Sequence, residues 1–318
     1  MKEDNLKSNR IRALISGAAG FVGRHLVDEL SRKGWDLVGY DIQLPERSSI
    51  PFVRGDLSDS QSLARCIQEV RPDVVFHLAG IIKSPQADVL YRANLLGTIA
   101  LLDQIIESDR RPIIVVASSS AVYGHRSDGK PISEKMQLRP TTHYAVSKVA
   151  QEVAALRYYE SFNLPVMIVR MFNLLGPSQP ADLACSAFAR QIALGELNGQ
   201  NEIVTGNLDA RRDFVDVRDA ARAFGLVAEK GKAGQVYNIC SGRAVAIRKC
   251  LDEMISISPH QFKVRIDAER VQKNDVPVQI GSSHKLNQVT GWRPQISLKR
   301  SLSDLLNDWR QRVKLELE

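Results

Sequence analysis

Six short strand-like runs, most of them continuously apolar, recur through the first half of the chain, and helical periodicity separates most of them. They read IRALIS, WDLVGYD, PFVRGD, DVVFHLAG, PIIVVASSS and LPVMIVRMFN. A sheet with one wet face alternates apolar and polar residues, whereas strands apolar on both faces need cover on both. Parallel strands also need long crossovers, which helices supply. The pattern therefore predicts an α/β protein built on a doubly wound parallel sheet, Rossmann-like in its alternation. The helices read FVGRHLVDELSRKG, stopped by Gly34; SQSLARCIQEV, ending before Pro72; VLYRANLLGTIALLDQIIES; and one starting near Tyr144.

Beyond about residue 173 the pattern turns irregular, with more Pro, Gly and Asn, a strand at GQVYNIC and a last helix at SLKRSLSDLLNDWRQRVK. The division expected is a flexible polar tail over 1–10, a dinucleotide-binding domain over 11–172 and a smaller α/β substrate domain over 173–318. Residues of about 213–241 are expected to return to the first sheet.

Several classes of protein fall away on composition. The net charge of +7 admits a nucleic-acid partner, but acids interleave with the cations, as in RRDFVDVRDAAR, and aromatics are only 6%. A small anionic substrate explains the excess equally well. Four cysteines far apart, with no C-x-x-C, argue against a disulfide scaffold, and six histidines without an H-x-x-x-H pair argue against a metal. No apolar run approaches the roughly 20 residues of a membrane span, and the start MKEDNLKSNR has no signal-peptide core. No membrane is expected as a partner, and the cytoplasm is the expected compartment.

GAAGFVG, with Gly17, Gly20 and Gly23, stands between the first strand and the first helix. Glycines there let backbone approach a pyrophosphate whose charge a helix N-terminus stabilises. Alone, the triplet could be a plain tight turn; the strand before it, the helix after it and an acid ending strand two favour a dinucleotide. That acid is Asp41, eighteen residues past Gly23. A carboxylate there accepts from a ribose 2′-hydroxyl and repels a 2′-phosphate, favouring NAD(H), with NADP(H) the alternative. Asp56, after the third strand, suits either an adenine contact or an ordinary turn.

HYAVSK places Tyr144 and Lys148 four apart, hence on one helical face. A packing tyrosine and a solvated lysine would be the bland account. Ionising a phenol of pKa about 10 near neutrality costs about 4 kcal/mol. A cation roughly 4 Å away supplies about that much at an effective dielectric near 20. SSSAVYG follows the fifth strand at the sheet edge where open α/β folds bind ligands, so Ser119 is expected to join Tyr144 there. A hydroxyl, a phenol and an ammonium in one crevice form an acid–base site for hydride transfer.

The glycine pattern, HLAG, NLLGT, SSSAVYG, YAVSK and RMFN jointly resemble the extended short-chain dehydrogenase/reductase family that acts on nucleotide sugars, from about residue 11 to 313. The resemblance implies Ser119, Tyr144 and Lys148 as the catalytic trio. For the cofactor it implies Gly17, Gly20, Phe21, Val22 and Gly23, then Asp41, Asp56, Leu57, Leu78, Ala79, Gly80, Asn94 and Ser118, with Tyr144 and Lys148. For the substrate it implies Lys83, Ser119, Ser120, Asn173, Arg190, Asn207, Arg212 and Arg270. Family members commonly pair helices into dimers, so the helices around 87–108 and 144–162 are the expected homodimer face, although their apolar residues could equally be core.

VTGNLDARRDFVDVRDAARAF, VYNICSG, DVPVQIGSSHKL and TGWRPQISLKRSL resemble the GDP-sugar branch, in which Arg212 would reach the substrate diphosphate. An ion pair with Asp213 or Asp209 is the plainer reading of Arg212. Related dehydratases carry a Glu three residues before the glycine of YG; here Ala121 stands there, beside Ser120. The implied activity is reduction of GDP-4-keto-6-deoxy-D-mannose to GDP-D-rhamnose, with GDP-6-deoxy-D-talose the alternative product, since no motif fixes the face of C4 that receives hydride. An NAD-dependent GDP- or UDP-hexose 4-epimerase is the rival, which Asp41 suits. The family's second phosphate-binding Arg falls near Gln272, leaving Arg270 or Lys273 to replace it.

Overall fold

The computed structural model describes residues 10–125, 129–270 and 276–316. The tail expected over 1–10 falls, up to residue 9, outside the described residues, as do Gln272 and Lys273.

Seven parallel strands form the main sheet. In chain order they are β1 (Arg12–Ser16), β2 (Asp36–Asp41), β3 (Phe52–Arg54), β4 (Val74–His77), β5 (Ile113–Ser119), β6 (Val166–Met171) and, after three strands of a second layer, β10 (Val236–Ile239). Their spatial order is β10-β6-β5-β4-β1-β2-β3, all parallel. The order reverses between β1 and β4, which opens a crevice beyond their carboxyl ends. Ser16 faces both Tyr40 and His77 in register, so the turns after β1, β2 and β4 meet at one edge.

Helices cover both faces because the strands are buried on both. On one side α1 (Phe21–Arg32) packs against α7 (Val217–Lys230), with Leu26, Leu30, Phe224 and Val227 fully buried. On the other lie α2 (Ser60–Val70), α4 (Gly97–Glu107) and α5 (His143–Phe162), around Leu63, Leu101, Leu102, Ile105 and Ala155.

The sequence reads 89–108 as one helix, but the structure breaks it. Between α3 (Ala87–Tyr91) and α4, residues Arg92–Leu96 form a π-turn. Such single-turn bulges turn one side chain inward, here Asn94. By length and mean hydropathy alone the stretch Ala87–Glu107 could cross a membrane, although Asp88, Arg92 and Asp103 interrupt its apolar run. It packs instead on α2 and α5 and carries buried, hydrogen-bonded Asn94 and Thr98, which suits a core helix.

The second layer holds β7 (Asn173–Leu175), β8 (Glu202–Thr205), β9 (Arg211–Asp216), β11 (Ala244–Ala246), β12 (Lys263–Ile266) and β13 (Val278–Gln279). β9 pairs with β7, β11 and β13, while β12 pairs with β8. Helices α6 (Ala184–Asn198), α8 (Ile247–Ser256) and α10 (Leu298–Leu315) close a separate core around Phe188, Met254, Leu302 and Trp309. The short α9 (His284–Thr290) lies against β10 and α7.

Candidate active site

The glycine turn is built by close contacts. Gly17 has φ +76°, and a Cβ there would stand 2.6 Å from the Ala79 nitrogen and 2.9 Å from the Leu78 carbonyl carbon. The turn after β1 therefore touches the turn after β4, bringing Leu78, Ala79 and Gly80 beside it. At Gly23 a Cβ would stand 2.2 Å from the Gly17 oxygen, so only glycine lets α1 start so close to the turn. No side chain caps α1 at Gly20, so the first-turn amides, including those of Phe21 and Val22, point at the crevice mouth as an anion seat.

Asp41, at the end of β2, accepts from the Ala19 amide at 3.0 Å and the Gln43 amide at 3.2 Å. Beside it opens a cavity of about 580 Å³ lined by Ala18, Ala19, Arg24, Arg47, Ser48 and Ser49. Asp56 accepts from the Ser58 amide and hydroxyl, both at 2.8 Å, which is the turn-forming account; Leu57 packs beside Gly97.

At the other end of the crevice, Thr142 caps α5 by accepting from the Ala145 amide, which puts Tyr144 in the first turn. The Tyr144 phenol bonds the Ser119 hydroxyl. Burial raises its pKa above the ordinary 10.0, and the Ser119 bond only partly offsets this. The expectation that Lys148 acidifies the phenol is corrected here. Lys148 Nζ instead donates to the Ala117 carbonyl of β5 at 2.7 Å, and burial is the largest influence on the phenol. The lysine is buried, and burial pulls its pKa down to about 8 while Glu152 pulls it up.

Asn94 pins the floor between them. It accepts from the Ile81 amide at 2.8 Å, and its own amide donates to the Ile81 carbonyl and Ser147 Oγ, both at 2.9 Å. A Cβ on Gly80 would stand 2.6 Å from Asn94 Oδ1, so the glycine makes room for this bond. His77 lies beneath, between Ser16 Oγ at 2.7 Å and Thr98 Oγ1 at 2.8 Å, and burial drives its pKa down to about 3. It is a neutral imidazole.

The remaining expected residues divide. Ser118 is turned the other way along β5: its hydroxyl donates to Glu152 at 2.5 Å, so any cofactor contact falls to its backbone. Ser120 is buried against Gln279, which donates to its carbonyl at 3.2 Å. Asn173 leads from the sheet edge into the second layer and donates to the Asp213 carbonyl at 3.2 Å. Arg212, on β9, donates to the Arg211 carbonyl at 3.0 Å and also to Val276. The ion pair with Asp213 is excluded: that carboxylate is fully buried and accepts from Ser241, Gly242 and Gly281. Asn207 forms a turn with the Asp209 amide at 3.0 Å, and Arg270 donates to the Val204 carbonyl at 3.1 Å beside it. Lys83 is exposed on the loop after β4. Arg190 is not brought to the crevice by any contact described: it pairs with Glu316 at 3.1 Å, because α6 packs on α10.

Glu152, Arg170 and Gln279 carry buried polar contacts behind these residues, although none of the three was expected at the site. For Glu152 a signal existed, since it repeats the Tyr144–Lys148 spacing once more.

Comparison with known proteins fits this geometry. The family model described as GDP-mannose 4,6 dehydratase matches residues 14–305. A GDP-6-deoxy-D-mannose reductase of Pseudomonas aeruginosa is 34% identical over 313 residues, covering 96% of this chain and 99% of the relative. A UDP-glucose 4-epimerase of Mycolicibacterium smegmatis is 27% identical, over 95% and 99% of the two chains. Among solved structures, RMD from Pseudomonas aeruginosa complexed with NADPH superposes with a TM-score of 0.85 at 33% identity, covering 95% of this chain and 99% of that one.

Proposed function

The chain belongs to the GDP-mannose 4,6 dehydratase family, as a nicotinamide-dependent oxidoreductase of the extended short-chain dehydrogenase/reductase type, and from that premise we propose that it reduces GDP-4-keto-6-deoxy-D-mannose at C4. The observation that carries this reading is the turn after β5. Its hydroxyl–phenol pair is present, but among the described residues of that turn no acid or base for eliminating water stands beside it. Ala121 occupies the position where related dehydratases have Glu, and the neighbouring Ser120 hydroxyl is buried against Gln279 at 3.4 Å. Hydride exchange is served and elimination is not.

The reduced nicotinamide supplies the hydride when bound. Ser119 holds the ketone oxygen, and Tyr144 gives that oxygen its proton as the new hydroxyl forms. A phenol whose pKa lies above 10.0 is protonated at neutral pH, the state that a proton donor needs. Lys148 keeps a positive charge one turn further along and is placed to orient the cofactor's ribose. Arg212, Asn173 and Arg270 stand on the substrate side, with Arg212 the diphosphate ligand. The product we favour is GDP-D-rhamnose, because the 34% identical relative is a GDP-6-deoxy-D-mannose reductase and the two names describe one sugar. For the cofactor, Asp41 favours NADH; Arg24 and Arg47 in the adjoining cavity leave NADPH as the second choice.

A 4-epimerase is the second reading, favoured by Asp41 and by the Mycolicibacterium smegmatis relative. Incubation with the 4-keto-6-deoxy sugar and either reduced cofactor separates the two. The reductase oxidises one cofactor per sugar, whereas no consumption with either cofactor refutes it.

Apolar side chains stand out on the two helices expected to dimerise: Leu96 is 54% exposed, Val153 63% and Phe162 39%. They support a homodimer through this face, and gel filtration at the monomer mass would contradict it. Four cysteines, all buried free thiols, suit the cytoplasm.

A further inference from the structure

Behind the Tyr144–Lys148 face of α5 comes a third ionisable residue at the same spacing. Glu152 follows Lys148 by four residues, so 144, 148 and 152 share one stripe of the helix. Its carboxylate is buried and takes part in none of the steps above. Oε1 accepts from Ser118 Oγ at 2.5 Å and from Arg170 Nε at 2.8 Å, and Oε2 accepts from Arg170 Nη2 at 2.6 Å. Arg170, on β6, then donates to the Tyr123 hydroxyl at 2.9 Å, which donates to Asn238 Oδ1 at 2.7 Å.

Well-packed apolar side chains often stabilise a core as well as a buried ion pair does. What this pair supplies that they would not is a fixed negative charge one turn from Lys148. The other groups facing that ammonium do not supply it. β5 offers the Ala117 carbonyl, and β4 the neutral His77. The π-turn offers the Asn94 amide, and α5 itself the protonated Tyr144. From α4, Asp103 is taken by the Tyr158 hydroxyl, ten residues further along α5; from α3, Tyr91 meets His143 at the helix start. Arg170 adds a second cation, which the Glu152 carboxylate covers on two sides.

We propose that Glu152 is a positioning residue: the buried counter-charge that keeps Lys148 an ammonium in line with Tyr144, itself held in place by Arg170 and Ser118. The assignment rests on the Ser119–Tyr144–Lys148 reading of the site. It accounts for a lysine that remains charged at neutral pH although desolvation alone drives it the other way. Removing the carboxylate both withdraws the attraction and leaves Arg170 uncovered, so each change pushes Lys148 toward the neutral amine.

The test is a titration of the Lys148 side chain on the protein alone, with ¹³Cε-labelled lysine and the signal assigned by its loss in Lys148→Arg. The wild-type midpoint is expected near 8. In Glu152→Gln it should fall by about one pH unit or more. Tyr123→Phe, which loosens the same network without removing a charge, should leave the midpoint within a few tenths of a unit, roughly a quarter of that shift. A Glu152→Gln midpoint equal to wild type overturns the proposal, and so does an equal shift in Tyr123→Phe, which would make the role one of packing. If Glu152→Gln does not fold, Glu152→Gln/Arg170→Gln is read in its place, where a lowered midpoint supports the proposal and an unchanged one overturns it. Because no sugar is present, a wrong substrate assignment leaves this result untouched.

Discussion

On the proposed reading, the cofactor end of the crevice is made by neighbours in sequence, and the substrate end by strangers. Gly17 to Gly23 span seven residues, and Tyr144 and Lys148 share one helical turn. Across the crevice, Asn173, Arg212 and Arg270 come from separate pieces of the second layer. The contact between Ser120 and Gln279 joins residues 159 apart. The contrast teaches where each kind of constraint sits. Chemistry common to hydride transfer is fixed by short motifs on rigid elements, and substrate choice by a layer of short strands whose mutual placement is a tertiary matter.

Breaking the cofactor end should give the largest effect. Tyr144→Phe keeps the ring and removes the proton, so kcat should fall by about a hundred- to ten-thousand-fold while cofactor affinity stays. Retained turnover would remove the phenol from the chemistry.

Lys148→Met should abolish turnover yet stabilise the fold, because a buried ammonium opposes folding. Its folded pKa of about 8 lies below the ordinary 10.5, which corresponds to about 3 kcal/mol at most. The sign follows from proton uptake. The unfolded state binds more protons between these two values, so wild-type stability rises with pH there. The variant's advantage is therefore full below about pH 8 and fades toward 10.5. Urea melts at pH 7 and pH 10 measure it, and equal stability at pH 7 would contradict the cost assigned to this charge.

At the substrate end a smaller and different signature is expected. Arg212→Ala should raise KM for the nucleotide sugar by roughly ten- to a hundredfold with kcat little changed, as uniform binding predicts. An unchanged KM would make the guanidinium a structural brace rather than a substrate ligand. Smallest is Asp41→Ala. It should weaken both cofactors, since Asp41 also holds the Ala19 amide, and move the NADH-to-NADPH preference by about one power of ten or less. An unmoved ratio would take cofactor choice away from this residue.

The same contrast explains what could be read from the chain alone. The sheet was legible because strands buried on both faces show as apolar runs, and Gly17 and Gly23 because backbone contacts there exclude any side chain. The π-turn at Arg92–Leu96 was not, since one widened turn barely disturbs a helical apolar pattern. Lys148 was read as a partner of the phenol, but its bond to Ala117 depends on how α5 lies against β5. Arg190 was expected on the substrate by resemblance, but α10 brings Glu316 to it from 126 residues away. Ser118 and Ser119 are adjacent and alike, and only the strand's alternation turns one to the crevice and the other to Glu152.

The most direct measurement is the fate of a label. Reduced cofactor carrying deuterium at its transferring carbon is incubated with the 4-keto-6-deoxy sugar nucleotide, and the product sugar is isolated and weighed by mass spectrometry. Reduction predicts one deuterium at C4 for every cofactor oxidised. Isomer interconversion with no label taken from the added cofactor would contradict it.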